Sequence, residues 1–84
     1  MNVTFLGTNG WYDSATGNTI CILLRTADHD IIFDAGNGFS RVDDHCTGSA
    51  PRTGYLLLSH FHLDHVQGLH TLNKLRAFSR LVIA

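Results

Sequence analysis

Tyr55-Leu56-Leu57-Leu58 is a continuous apolar run that passes, with only Ser59 between, into His60-Phe61-His62-Leu63-Asp64-His65. Such a run is the pattern of a strand buried on both faces within a parallel sheet. A buried strand that ends in three histidines and an aspartate constrains the fold strongly, because the chain must hold these polar groups together at one strand end. Imidazole and carboxylate are the usual protein ligands for zinc and other borderline first-row metals. Neighbouring histidines on a loop gain nothing from one another unless something holds them, so density alone points to a metal.

The rest of the chain reads as a platform for this stretch. Val3–Leu6 is a short apolar run ending at Gly7 and is expected to be a first strand. The loop from Gly7 to Gly17 carries Trp11 and Tyr12, for which docking on the core is favoured over forming a site wall. Thr19–Thr26 is apolar on both faces and predicts an interior strand. A polar turn, Ala27-Asp28-His29-Asp30, joins it to a third strand at Ile31–Phe33, and the short connection predicts a hairpin. Asp34-Ala35-Gly36-Asn37-Gly38 then opens a short helix to about Asp44, with Asn37 or Asp34 as its cap. A polar loop follows over Asp43–Thr53. After the histidine cluster, Val66, Leu69, Leu72 and Leu75 recur at helical spacing, predicting a helix over 64–74 capped by the Asp64/Gln67 pair. Leu81-Val82-Ile83-Ala84 begins another strand.

Strand, hairpin, helix, strand, helix, strand is an α/β order, with right-handed crossovers between parallel strands. The 84 residues make at most one domain, and a chain of that size buries only about 60–65 % of its unfolded surface. Charged residues are 15 % of the chain, against roughly 25 % in ordinary soluble domains. A small domain needs more polar surface, not less, so part of this surface is expected to be covered by something else. Ending inside an apolar strand suggests the front part of a larger domain.

Several classes are disfavoured. A net charge of −1 gives no footprint for nucleic acid or an anionic membrane. Cys21 and Cys46 have no C-x-x-C spacing, which argues against a zinc knuckle or disulfide framework. No segment approaches a membrane span and no signal peptide is visible, so a cytoplasmic protein with no membrane partner is expected.

In open α/β sheets the site lies beyond the carboxyl ends of the strands. Asp34 follows the third strand at once and His60 follows the fourth, so two neighbouring loops present a carboxylate and the cluster together. His60 and His62, two apart in an extended segment, point to one side and can share one metal, while Phe61 turns into the core and, with Leu63, locks the loop. Asp64 and His65 stand at a helix start, where the chain turns, and can serve a second metal. Asp34 is expected behind them, accepting a hydrogen bond from a ligand histidine. His29, His45 and His70 read as surface or core histidines.

His60-Phe61-His62-Leu63-Asp64-His65 is the H-x-H-x-D-H signature, and the chain resembles the amino-terminal part of the metallo-β-lactamase superfamily. Phe33-Asp34-Ala35-Gly36 matches that family's hydrophobic-Asp-x-Gly motif. Phe5-Leu6-Gly7-Thr8 and Asp34-Ala35-Gly36-Asn37-Gly38 are similar to the ribonuclease Z-like phosphodiesterase branch. The resemblance implies an αββα sandwich, with residues 1–84 as its front portion, and two zinc ions at one edge. It implies that His60 and His62 bind the first ion, Asp64 and His65 the second. The family's later ligands have no match within these residues, so the remaining donors come from outside them or from a second copy of the chain in a homodimer.

The function expected from this is metal-dependent hydrolysis. Zinc lowers the pKa of bound water from about 15.7 to roughly 7, giving hydroxide for attack on a phosphodiester, in RNA or a small molecule, or on an ester bond. Asp64 would orient that water as well as bind metal, the catalytic role the resemblance implies for it. For RNA, the basic contacts would have to lie elsewhere. The alternative is a truncated, non-catalytic fragment that binds a metal or a partner chain.

Overall fold

A computed structural model describes residues 1–12, 14–46, 52–76 and 78–84. Five strands form one mixed sheet in sequence order: β1 (Asn2–Gly7), β2 (Cys21–Arg25), β3 (His29–Phe33), β4 (Arg52–Leu57) and β5 (Phe78–Ile83). β1 to β3 are antiparallel neighbours, so the expected hairpin is present, whereas β3, β4 and β5 run parallel. The parallel pairs aim the carboxyl ends of β3 and β4 at the same edge, in register at Phe33 and Leu57.

Alternation splits each strand between two faces. On one face Leu23, Ile32 and Leu56 stand in cross-strand register and are fully buried with Cys21. Phe39 and Val42 complete this core, and Leu69, Leu72 and Leu75 pack against it. The opposite face is also apolar. Phe5, Ile22, Phe33 and Leu57 form one register row across four strands, yet Phe5, Phe33 and Leu57 are exposed. β4 is therefore buried on one face only, not on both as its unbroken apolar run suggests. The low charge of the chain has its physical counterpart in this open apolar face.

The helical regions differ from the expected α-helices. Two 3₁₀ segments, Asn37–Arg41 and Asp43–His45, replace the first helix; Gly36 precedes them with no side-chain cap from Asn37 or Asp34. The second begins as a single α-turn, α1 (Leu63–Val66), and continues as 3₁₀ over Gln67–Lys74. The reason lies in the spacing. Leu69, Leu72 and Leu75 recur at a strict three, as do Phe39 and Val42, and the 3₁₀ helix has three residues per turn with i and i+3 eclipsed. An α-helix would need alternating threes and fours to keep one face inward.

No Asp64/Gln67 capping pair forms. His62 occupies the cap position without a side-chain bond, and Gln67 Nε2 donates instead to the Thr19 hydroxyl at 2.6 Å. Asp30, read as the last residue of a polar turn, is fully buried in β3, where Arg25 (3.0 Å) and Arg52 (3.1 Å) share its carboxylate. A buried carboxylate is tolerated only when paired in this way. The polar loop expected over Asp43–Thr53 falls, at 47–51, outside the described residues.

Candidate metal centre

The site begins with the backbone that holds it. Asp34 follows β3 directly in a left-handed conformation, φ 63°, which is uncommon for a residue with a Cβ and costs energy that the surroundings must return. Its N–H donates to Leu57 O at 2.9 Å, fixing the end of β3 to the end of β4. Ala35 N donates to His65 O, and Gly68 N donates to Ala35 O, each at 2.8 Å. The loop after β3 is thereby laced to the turn of α1. Glycine is required for this close approach: a Cβ on Gly36 would run into Asp64 O and Ile20 O, and one on Gly68 into Gly36 O.

Within that frame the Asp34 carboxylate faces the cluster. Oδ1 accepts from Ser59 N at 2.7 Å, and both oxygens lie within 3.0 Å of the Ser59 hydroxyl. Oδ2 lies 3.0 Å from His65 Nδ1. Burial raises the carboxyl's pKa, but the Ser59 N–H, His65 and the Ser59 hydroxyl outweigh it and hold the group below the usual carboxylate range.

The three imidazoles come together. His60 stands edge-on to His62, ring centres 4.5 Å apart, and 4.0 Å from the ring of His65. Asp64 Oδ2 lies 3.4 Å from His65 Nε2 and accepts from the main-chain N–H of Trp11 at 3.0 Å. That bond, more than any other influence, depresses the Asp64 carboxyl's pKa; partial burial opposes it, and His65 and His62 add to it.

The donor set suits zinc in kind, and one pair suits it in spacing. A tetrahedral zinc with bonds of about 2.0–2.1 Å separates its donors by roughly 3.4 Å, and Asp64 Oδ2 and His65 Nε2 stand at that distance. Among the described residues, no three His, Cys, Asp or Glu side chains are placed together so as to hold an ion.

The apolar residues of the site depart from expectation. Phe61 is 80 % exposed and Leu63 70 %, so neither turns into the core to lock the loop. What locks it is the backbone lacing through Ala35, Gly36 and Gly68. Trp11 (80 %) and Tyr12 (72 %) are likewise exposed rather than docked, and Trp11 is tied to the cluster through its N–H. His45 and His70 are exposed and His29 sits at its turn beside Tyr55, all away from the cluster's bonds. Two participants carry no signal in the sequence pattern: Ser59, a single small residue between strand and cluster, and the main-chain N–H of Trp11.

No protein-family model matches the chain. Ribonuclease Z of Bradyrhizobium diazoefficiens is 37 % identical over 67 residues, which is 80 % of this chain and 22 % of that protein. The crystal structure of human tRNase Z, short form, superposes with a TM-score of 0.70 at 35 % identity, over 86 % of this chain and 28 % of that one. The metallo-β-lactamase fold protein YhfI from Bacillus subtilis superposes with a TM-score of 0.69 at 24 % identity, over 86 % and 29 % of the two chains, and speaks for the fold alone. The chain spans about a fifth of the length of the curated relatives it matches. The chain has the metallo-β-lactamase fold and is similar in sequence to ribonuclease Z proteins over about a fifth of their length.

Proposed function

We propose that this chain supplies half of a two-zinc phosphodiesterase site, with His60 and His62 toward one ion and Asp64 and His65 toward the other. The observation that carries the reading is the Asp64–His65 pair, 3.4 Å apart, with the opposite nitrogen of His65 against Asp34. A carboxylate behind a histidine fixes the ring and raises the basicity of the nitrogen left open. Zinc bound there would supply Lewis acidity and an acidified water. The chain's own residues do the rest: Asp34 orients His65, Trp11 N–H holds the Asp64 carboxylate in place, and the glycines let the two loops close on each other. The relatives' names, ribonuclease Z and, for a human protein 35 % identical over 69 residues, zinc phosphodiesterase ELAC protein 1, support a phosphodiester as substrate and zinc as the metal. The remaining ligands, and any basic surface for RNA, would come from outside residues 1–84 or from a second copy of the chain.

A second reading, a non-catalytic binder of metal or of a partner chain, is supported by the apolar row left exposed at Phe5, Phe33 and Leu57. Zinc content, oligomeric state and hydrolysis of a chromogenic phosphodiester, measured together on a form of the protein that carries the remaining ligands, separate the two. The proposal expects zinc to bind and His62→Ala to lower both zinc content and hydrolysis. Zinc binding without hydrolysis selects the second reading. Hydrolysis that persists in His62→Ala with no loss of metal overturns the assignment.

A further inference from the structure

We propose that Ser59 is a positioning residue through which one carboxylate, Asp34, sets the tautomer of two histidines, His65 directly and His60 by relay. The inference rests on the metal reading above and extends it to a residue outside the ligand motif.

It follows from counting protons. Asp34 has the Ser59 N–H at 2.7 Å, the Ser59 hydroxyl at 2.9 and 3.0 Å, and His65 Nδ1 at 3.0 Å around its carboxylate. An ionised carboxylate only accepts, so His65 places its proton on Nδ1 toward Asp34 at 3.0 Å, while Nε2 faces the Asp64 carboxylate at the longer 3.4 Å and is the nitrogen left for a metal. The Ser59 hydroxyl has one proton, and the carboxylate is its charged acceptor, the stronger kind of partner. Toward His60 Nδ1, 3.0 Å away, Ser59 can then only accept. His60 is forced into the same form as His65, proton on Nδ1 and Nε2 open. The two rings, 4.0 Å apart, present the same nitrogen. His65 Nδ1 is 3.4 Å from the same hydroxyl, a longer approach than its 3.0 Å contact with Asp34, so the carboxylate is its main partner.

A hydroxyl is needed at position 59, and the ring it controls is His60. This separates a relay from a merely structural role, which would affect both histidines or neither. The test is nitrogen NMR of the imidazoles in metal-free, isotope-labelled chain, at a pH where the rings are neutral. The parent chain should show Nδ1–H on His60 and His65. Ser59→Ala should return His60 to the free-imidazole preference for Nε2–H while His65 keeps Nδ1–H. Ser59→Thr should restore the parent pattern, and Asp34→Asn should disturb both rings. Zinc itself is the second probe, its affinity expected to fall about tenfold in Ser59→Ala and to recover in Ser59→Thr. An unchanged His60 tautomer in a folded Ser59→Ala chain overturns the relay, as does a Ser59→Thr chain in which His60 has lost Nδ1–H. Failure of the parent to bind zinc would instead overturn the metal reading, and the tautomer pattern would still decide the relay.

Discussion

The main-chain N–H of Trp11 donates to Oδ2 of Asp64 across 53 residues of sequence, at 3.0 Å. Trp11 reaches that position in the left-handed region, φ 68°, while its side chain stays 80 % exposed. A backbone group, not the indole, therefore orients the carboxylate. Trp11→Gly should keep the bond, because glycine adopts this φ freely and retains the N–H. Stability should change by less than about 1 kcal/mol, since relief of the left-handed penalty offsets the entropy that glycine loses on folding. Trp11→Val should cost more than Trp11→Gly, because a β-branched residue at positive φ is an outlier. Urea midpoints compare the stabilities, and the Asp64 carboxyl signal in NMR titration follows the bond. An Asp64 titration that moves up to the ordinary aspartate range in Trp11→Gly would refute the backbone role.

Gly36 and Gly68 should be far less replaceable than Gly10. A Cβ at Gly36 or Gly68 meets backbone oxygens that cannot move without undoing the lacing between the β3 loop and α1, while nothing lies within 4 Å of one at Gly10. Overpacking against rigid neighbours costs about 1–3 kcal/mol, a large share of what a chain this small holds in reserve. Gly36→Ala and Gly68→Ala should each lose at least that much in urea unfolding. Gly10→Ala should be neutral or gain up to about 1 kcal/mol by stiffening the unfolded chain. Equal losses at all three positions would refute the close-approach account.

The contrast between these glycines and the cluster shows what the sequence makes legible. The strands were readable because each alternates or runs apolar over a short length, and the hairpin because its connection is short. Asp34 and His60 could be placed at neighbouring strand ends because each directly follows its apolar run. The helices were misread because a repeat of three at Leu69, Leu72 and Leu75 is close to the α period over so short a span, although three is the 3₁₀ period that keeps all of them on the core. Phe61 and Leu63 were misplaced by treating apolar residues as inward, whereas the turn at α1 sends both to solvent. Ser59 and the Trp11 N–H stayed invisible because a main-chain donor has no side-chain signature, and a lone serine between strand and motif has no period.

The two thiols should be inert in the folded chain. Cys21 is fully buried, and burial together with the nearby Asp34 carboxylate pushes its pKa from 9.0 up to about 12. Cys46 is raised in the same direction by burial. Since the thiolate is the reacting form, iodoacetamide at pH 8 should label neither in the native chain and both in urea, as read by mass. The unfolded chain releases the Cys21 proton near pH 9 and the folded chain only near 12, so the folded state holds more protons in between. The contribution to stability is whole below about 9 and falls as pH rises toward about 12, by up to roughly 1.4 kcal/mol per unit. Rapid labelling of native Cys21 at pH 8 would show that the core around it opens.

The two faces of the sheet should respond oppositely to the loss of apolar side chains. Leu23 is fully buried in the covered core, and Phe5 is 65 % exposed on the open face. Truncating a buried leucine removes its transfer energy and leaves a cavity, so Leu23→Ala should cost about 2–5 kcal/mol. Phe5→Gln gives up little burial and should change stability by about 0.5 kcal/mol or less. What it should change is the open face. Phe5, Ile22, Phe33 and Leu57 line one continuous row, a contiguous apolar surface of the kind that captures hydrophobic dyes and partners. Fluorescence of bound anilinonaphthalene sulfonate should therefore be high for the parent chain at neutral pH with its unfolding still cooperative. It should drop in Phe5→Gln while the urea midpoint holds. If dye binding instead tracks loss of cooperativity, and Phe5→Gln destabilises as much as Leu23→Ala, then this face is packed in solution and the apolar row is a second core.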